Sequence, residues 1–106
     1  MKVGIMIQSN QPEKVWNAFR FGIVSLQAGH EVSVFLMSEG VEAIEINHEK
    51  FDVQNKIPEL EKLGGKVLAC GTCIKSRHQK ESAVCSINTM KDFLKLVEES
   101  DKIITF

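Results

Sequence analysis

Two cysteines separated by two residues are the part of this sequence whose types and spacing best fit chemistry. Cys70 and Cys73 enclose a Gly-Thr turn, directly after the apolar run Lys66–Ala69 and shortly before a stretch rich in cationic side chains, Lys75–Lys80. The thiolate form of cysteine is a nucleophile and a metal ligand, and nearby cations favour that form. The pattern therefore predicts sulfur chemistry or a metal site, and a purely structural role explains it less well.

A nucleophilic or sulfur-carrying thiol is the first of three chemistries that fit. An ordinary thiol, with a pKa of about 8.5, is only a few per cent thiolate at neutral pH, and lowering that pKa by two units takes about 2.7 kcal/mol. We expect Thr72 to cap a short helix beginning at Cys73, which would bring backbone N–H groups near both sulfurs. A helix terminus supplies only about 0.3–1 kcal/mol, so Lys75, Arg77 or His78 would have to supply the rest.

Dithiol redox chemistry is the second alternative. A Cys-x-x-Cys sequence after a strand is typical of thioredoxin-like proteins, in which the motif opens a helix. The segment after Cys73 lacks the long apolar periodicity of such a helix, and the residue before Cys70 is alanine where an aromatic residue is usual. The sequence therefore favours redox chemistry less than sulfur transfer.

A zinc site is the third alternative. Cys70, Cys73, His78 and Cys85 could together supply four tetrahedral ligands. Small zinc modules fold because they bind the metal, whereas this chain has enough apolar residues for a core without one. Cys85 stands among apolar residues, so we expect it in the core, and we expect the protein to hold neither a metal nor a cofactor.

Composition narrows the class of protein further. The chain has 106 residues, 43% of them hydrophobic, which predicts a single domain over residues 1–106 with a real core. A net charge of -1 predicts no bulk attraction to nucleic acid or to an anionic membrane. No apolar run approaches the roughly 20 residues that span a bilayer, and the N-terminus has the pattern of a strand. We expect a cytoplasmic protein, whose three cysteines are thiols, metal ligands or catalytic groups and not structural disulfides.

Apolar runs of strand length alternate with segments of helical spacing along the whole chain. The predicted strands are Val3–Ile7, Val32–Met37, Lys66–Ala69, Ala83–Ile87 and Lys102–Phe106. A first helix should begin at Pro12 and end at Gly29, and a last helix should begin at a Thr-Met-Lys-Asp capping box with Met90, Phe93, Leu94 and Val97 on one face. This alternation predicts an α/β fold in three layers, with a mainly parallel sheet of about five strands.

Parallel sheets place ligands and chemistry beyond the carboxyl ends of their strands. Three segments should meet there: residues 8–11, residues 37–40 and the cysteine loop, with Asn10 as a candidate binding residue. The first helix also carries more apolar side chains than one buried stripe needs, namely Trp16, Phe21 and Val24. This surplus predicts a contact with a second copy of the chain.

The whole chain resembles a known family. The segments that carry the resemblance, in chain order, are Trp16–Phe21, Ala28–Val32, Val67–Cys73 with Arg77, Thr89–Phe93 and Asp101–Phe106. Together they resemble the DsrE/DsrF-like family of small sulfur-relay proteins, of the TusD/YchN type. The resemblance implies a Rossmann-like domain that assembles as trimers or hexamers and carries sulfur as a persulfide on a loop cysteine. It matches Cys70 to that cysteine, while this chain has Arg77-His78 where many relatives have Arg-Gly.

The resulting hypothesis is a sulfur-relay protein, with sulfurtransferase-like activity if it is an enzyme. Cys70 would accept sulfane sulfur from a donor protein and pass it to an acceptor protein. Cys73 would resolve the persulfide or stabilise the Cys70 thiolate through a thiol hydrogen bond. The residues expected to stabilise the anion or dock a partner are Gly71, Thr72, Lys75, Arg77, His78 and Asn10. The alternative is a non-catalytic oligomeric module that binds a small ligand or a protein at the same cleft.

Overall fold

The computed structural model describes residues 1–77 and 86–106, so the expectations for His78 and Cys85 lie outside the described residues. Strands and helices alternate along these two ranges, and a 3₁₀ helix over Ser38–Glu45 follows the second strand. In chain order the other elements are β1 (Lys2–Ile7), α1 (Pro12–Gln27), β2 (Glu31–Leu36), α2 (Val53–Lys62), β3 (Lys66–Cys70), α3 (Gly71–Ser76), β4 (Ser86–Asn88), α4 (Met90–Glu99) and β5 (Lys102–Thr105).

The five strands of the described ranges form one sheet. Their order is β4-β3-β2-β1-β5, and every neighbouring pair is parallel. The predicted α/β class, with a parallel sheet of about five strands, is confirmed. Because β1, β2 and β3 are adjacent, their carboxyl ends lie side by side: Ile7 is in register with Leu36, and Leu36 with Ala69.

The helices form one layer on each face of this sheet. Gly22 of α1 lies against Ile5 of β1 and Leu60 of α2, which places α1 and α2 on the same face. Gly4 faces the opposite side, since successive strand residues alternate, and there it lies against Leu96 of α4. The three-layer architecture is therefore confirmed. Helix α4 connects the edge strand β4 to the other edge strand, β5, across the second face, as right-handed crossovers require.

Helix α1 begins and ends where its sequence signals predict. Pro12 is its first residue, and Gly29 follows the C-cap with φ of +91°, a conformation that glycine adopts without steric cost. The side chains at helical spacing that face the sheet are buried, namely Val15, Ala18, Phe19 and Ile23.

Helix α4 confirms its predicted start and divides its apolar residues between two surfaces. The Thr89 side chain accepts from the Asp92 N–H while the Asp92 carboxylate accepts from the Thr89 N–H, which completes the capping box. Leu96 is buried over Gly4, and the Phe93 ring stacks on Phe35 with centroids 4.7 Å apart. The other three residues of the predicted apolar face are exposed: Met90, Leu94 and Val97. The side of α4 that packs on the sheet is therefore the side of Phe93 and Leu96, and it only partly overlaps the predicted apolar face.

Strand β4 is described over Ser86–Asn88, and residues 83–85 of its predicted segment lie outside the described ranges. Strand β5 ends at Thr105, and the Phe106 N–H then donates to the Met6 carbonyl at 2.8 Å. None of the helices in the described ranges is long and apolar enough to cross a membrane.

Candidate functional site

Both thiols lie where β3 turns into α3. Cys70 is the last residue of β3 and the N-cap of α3, and its residue surface is 3% exposed. Cys73 lies in the first turn of the helix and is half-buried. The prediction that Thr72 caps a helix beginning at Cys73 is wrong, because β3 stays in register with β4 as far as Cys70 and the helix begins at once after it.

The three strand-end segments meet, as predicted, and side-chain contacts join them. The Ser38 N–H, after β2, donates to the Cys73 sulfur at 3.2 Å. Glu42 links the other two segments: its carboxylate accepts from Asn10 Nδ2 at 3.4 Å and from Arg77 Nε at 2.9 Å. The loops after β1, β2 and β3 are therefore one hydrogen-bonded unit around the thiols.

Arg77 is a cation that contacts the backbone of the cysteine loop. Its guanidinium donates to the Cys73 carbonyl at 3.2 Å as well as to Glu42. The Arg77 hydrogen bond and then the Asn10 hydrogen bond hold the pKa of Glu42 below its ordinary range, so Glu42 stays charged beside the guanidinium. Part of the positive charge of Arg77 is thus already matched by a carboxylate. Sequence reasoning missed Glu42, since nothing in its local spacing marks it.

The Cys73 thiol has a raised pKa. Burial is the largest cause, and a hydrogen bond with the Cys70 side chain acts in the same direction. The Ser38 N–H and the charge of Arg77 lower it, without reversing the balance. At neutral pH the Cys73 sulfur therefore keeps its proton, and it can donate that proton to the sulfur of Cys70.

A pocket of about 540 Å³ opens beside the two thiols. One wall is the cysteine loop, including Gly71, Thr72 and Lys75, and the opposite wall is the end of β4 and the start of α4. The residues of that opposite wall, which sequence reasoning also missed, are Asn88, Thr89 and Met90. Cys70 and Cys73 both line the pocket, and its volume is large enough for a small ligand or the tip of a partner's side chain.

Cys70 and Cys73 are free thiols in the structure. Among the residues that the structure describes, no group of three or more His, Cys, Asp or Glu side chains could hold a metal ion. His78 and Cys85, the other two ligands of the zinc alternative, lie outside those residues, so that ligand set is not tested by the geometry.

Comparison with solved structures places the fold. The E. coli protein YchN is 18% identical and matches with a TM-score of 0.80, covering 100% of both chains. MTH1491 of Methanobacterium thermoautotrophicum, a protein of unknown function, is 13% identical and matches with a TM-score of 0.76, covering 99% of this chain and 98% of its own. At such identities the likeness concerns the fold alone.

Comparison of sequences places the family. Two archaeal proteins, both uncharacterized, are each 34% identical over 100 residues and 89% of this chain. They are MJ0989 of Methanocaldococcus jannaschii, of which 88% is covered, and MK0008 of Methanopyrus kandleri, of which 83% is covered. The family model of the DsrE/DsrF-like family matches residues 1–106, the full length of the chain. The chain therefore belongs to the DsrE/DsrF-like family.

Proposed function

We propose that this protein is a sulfur carrier, which accepts sulfane sulfur as a persulfide on Cys70 and passes it to a partner. The observation that carries the proposal is the placement of two free thiols, at the end of β3 and in the first turn of α3, beside a pocket at the carboxyl ends of parallel strands. Membership of a family of small sulfur-relay proteins supports the same reading. Within that reading the pocket admits the persulfide of a donor protein, and later the thiol of an acceptor protein.

The proposed transfer is a thiol–persulfide exchange. The Cys70 thiolate attacks the outer sulfur of a donor persulfide, R–S–SH. A new S–S bond forms at Cys70, the S–S bond of the donor breaks, and its electron pair leaves with the donor as R–S⁻. Nothing is oxidised or reduced overall, and the reverse reaction with an acceptor thiolate discharges the carrier.

The neighbouring residues have distinct proposed roles. Cys73, whose pKa is raised by burial, serves as the S–H donor to Cys70. Gly71, Thr72 and Lys75 line the pocket, where the ammonium of Lys75 attracts an anionic sulfur group or an acidic partner. Arg77 and Asn10 act through Glu42 and hold the loop in place. The proposal keeps His78 as a docking residue, on sequence grounds.

We also propose the partners, the oligomeric state and the compartment of the carrier. Donor and acceptor are proteins, the carrier is a homo-oligomer, either a trimer or a hexamer, and the compartment is the cytoplasm, where thiols stay reduced. Neither a cofactor, nucleic acid nor a membrane takes part.

A non-catalytic binding module is the second candidate function. It is favoured by the burial of Cys70, which is 3% exposed, as a packing residue would be. In that case the pocket would bind a small ligand, and neither thiol would accept or pass on sulfur.

Intact-mass analysis after incubation with glutathione persulfide tests the proposal. We expect the wild type to gain the mass of one sulfur atom, Cys70→Ser to gain none, and Cys73→Ser to gain sulfur more slowly. Cys85→Ser is the matched control, because it also removes one thiol, and it should load like the wild type. If Cys70→Ser gains as much sulfur as the wild type, Cys70 is not the carrier. If no protein gains sulfur, the binding module is the better account.

A further inference from the structure

The segment after β2 contains a backbone conformation that its residue type disfavours. Ser38 has φ of +53°, and it is the one non-glycine residue with a positive φ in the described part of the chain. The left-handed region is costly for a residue with a Cβ, so the surrounding structure must hold Ser38 there.

Contacts on both sides of Ser38 supply that constraint. The Met37 N–H donates to the Ile7 carbonyl at 3.1 Å, and the Gly40 N–H donates to the Met37 carbonyl at 2.9 Å. Gly40 itself lies so close to β1 that a Cβ on it would be 1.9 Å from the Ile7 carbonyl oxygen. The segment is therefore fixed against the carboxyl end of β1, and Ser38 has little freedom to relax.

In this fixed conformation the Ser38 N–H is directed at a thiol. Its nitrogen lies 3.2 Å from the Cys73 sulfur, which accepts the hydrogen bond. This donor occupies one side of the sulfur and leaves the Cys73 S–H room to turn to another neighbour, the Cys70 side chain. The hydrogen bond between the two cysteines agrees with that direction, because it favours the protonated form of Cys73.

Building on the proposed function, we propose that Ser38 is a positioning residue for sulfur transfer, whose left-handed backbone holds the Cys73 sulfur so that its S–H points at Cys70. The donated proton stabilises Cys70 as a thiolate before it attacks, and again after it has handed on its sulfur. Because the donor is a backbone N–H, the role depends on the conformation at position 38 and does not depend on the serine hydroxyl.

Two substitutions at position 38 separate conformation from side chain. Ser38→Gly removes the hydroxyl but adopts the left-handed region freely, whereas a β-branched residue, as in Ser38→Val, disfavours that region. The readout is the alkylation rate of Cys70 by iodoacetamide against pH, located by peptide mass. For Ser38→Val we expect the alkylation rate of Cys70 at pH 7 to fall about tenfold and to recover at higher pH. A tenfold change is the size expected for the loss of one hydrogen bond to a charged group. Ser38→Gly should keep the wild-type profile.

Equal profiles for the wild type and both variants would overturn the proposal, and so would an equal loss in both variants, since that would assign the effect to the hydroxyl. A second measurement, which compares the wild type with Cys73→Ala, tests the hydrogen bond even if Ser38→Val does not fold. The Ser38 amide should exchange with deuterium more slowly in the wild type than in Cys73→Ala, while the Met37 amide should not change. Equal exchange of the Ser38 amide in both proteins would also overturn the proposal.

The same variants distinguish this proposal from the proposed function. If the wild type takes up no sulfur but alkylation responds to position 38 as expected, the carrier function fails and the positioning of the thiol pair stands. If sulfur loading is normal and alkylation ignores position 38, the carrier function stands and the role of Ser38 fails.

Discussion

Glu42 and Arg77 form an ion pair with Oε2 and Nε 2.9 Å apart, and this pair ties the 3₁₀ helix after β2 to the end of the helix that carries Cys73. The two side chains are 36% and 29% exposed, respectively, so the pair is accessible to water. Its importance therefore lies more in fixing the position of α3 than in the free energy of unfolding.

Glu42→Gln should loosen α3 while it leaves the fold intact. The free energy of unfolding should change by no more than about 1 kcal/mol, as for other exposed pairs. Amide exchange over residues 71–77 should become faster. Glu59→Gln is the matched control, because Glu59 forms a similar pair with Lys56 away from the site, and it should leave that exchange unchanged. Unaltered exchange in Glu42→Gln would show that the pair does not hold the loop.

The same pair predicts a response to acid. Because Arg77 and Asn10 hold the pKa of Glu42 below its ordinary value, the carboxylate contributes stability at all pH values above that ordinary value. The contribution is lost as pH falls through the lowered pKa. Amide exchange of residues 71–77, corrected for its intrinsic pH dependence, should therefore rise below about pH 4 in the wild type and show a smaller rise in Glu42→Gln.

Cys73 should react slowly with alkylating agents at neutral pH. Burial and the hydrogen bond with Cys70 raise the pKa of its thiol, so the thiolate forms only as pH rises beyond the ordinary range. Cys70→Ala removes one of these causes and should move the alkylation profile of Cys73 to lower pH. The unfolded protein provides the reference rate. A Cys73 profile that does not move in Cys70→Ala would contradict the hydrogen bond between the two thiols.

Gly40→Ala should destabilise the protein more than Gly4→Ala. A Cβ at Gly40 would meet the backbone of Ile7 at 1.9 Å, and backbone can give way only if the strand end moves. A Cβ at Gly4 would meet side-chain atoms, the nearest at 2.7 Å, which can shift. We expect a loss of about 1–3 kcal/mol or more for Gly40→Ala by urea unfolding, and a smaller loss for Gly4→Ala. The reverse order would contradict the close packing of residues 37–40 on β1.

Val24→Lys tests the homo-oligomer. Val24 is 61% exposed and Phe21 is 39% exposed on the outer face of α1, whereas Trp16 is covered by the Phe51 ring at 5.2 Å and the Arg20 guanidinium at 4.2 Å. A charged side chain in the middle of this surface should lower the molar mass measured by light scattering at micromolar concentration. Lys14→Ala, a change at an exposed site near the start of α1, is the control. A monomeric wild type would remove the oligomer from the proposal.

Local pattern was enough to predict the elements and their order, because each depends on signals a few residues apart. Pro12 and Gly29 bound α1, and Thr89 with Asp92 opens α4. The cysteine loop was correctly placed at the carboxyl edge, since the end of an apolar run marks the end of a strand. These predictions needed no knowledge of which strands pair.

The features that sequence reasoning missed depend on pairing and register. The helix begins at Gly71 because β4 holds Cys70 in the sheet, and no signal within the loop reports that contact. Glu42 reaches Arg77 across 35 positions of sequence. The face of α4 that becomes buried is selected by Gly4, whose missing side chain leaves room for Leu96. Each of these follows from tertiary geometry, which spacing along one segment does not encode.

The donor to the Cys73 sulfur and one of the acceptors for Arg77 at α3 are main-chain atoms: the Ser38 N–H and the Cys73 carbonyl. Main-chain groups are present whatever the residue type. A relative could therefore keep the same arrangement with Gly or Asn at position 38, since both tolerate left-handed backbone. A search for this arrangement in distant relatives should accordingly compare the backbone torsion angles at that position. A search by residue type would miss relatives that have the same backbone conformation with a different residue.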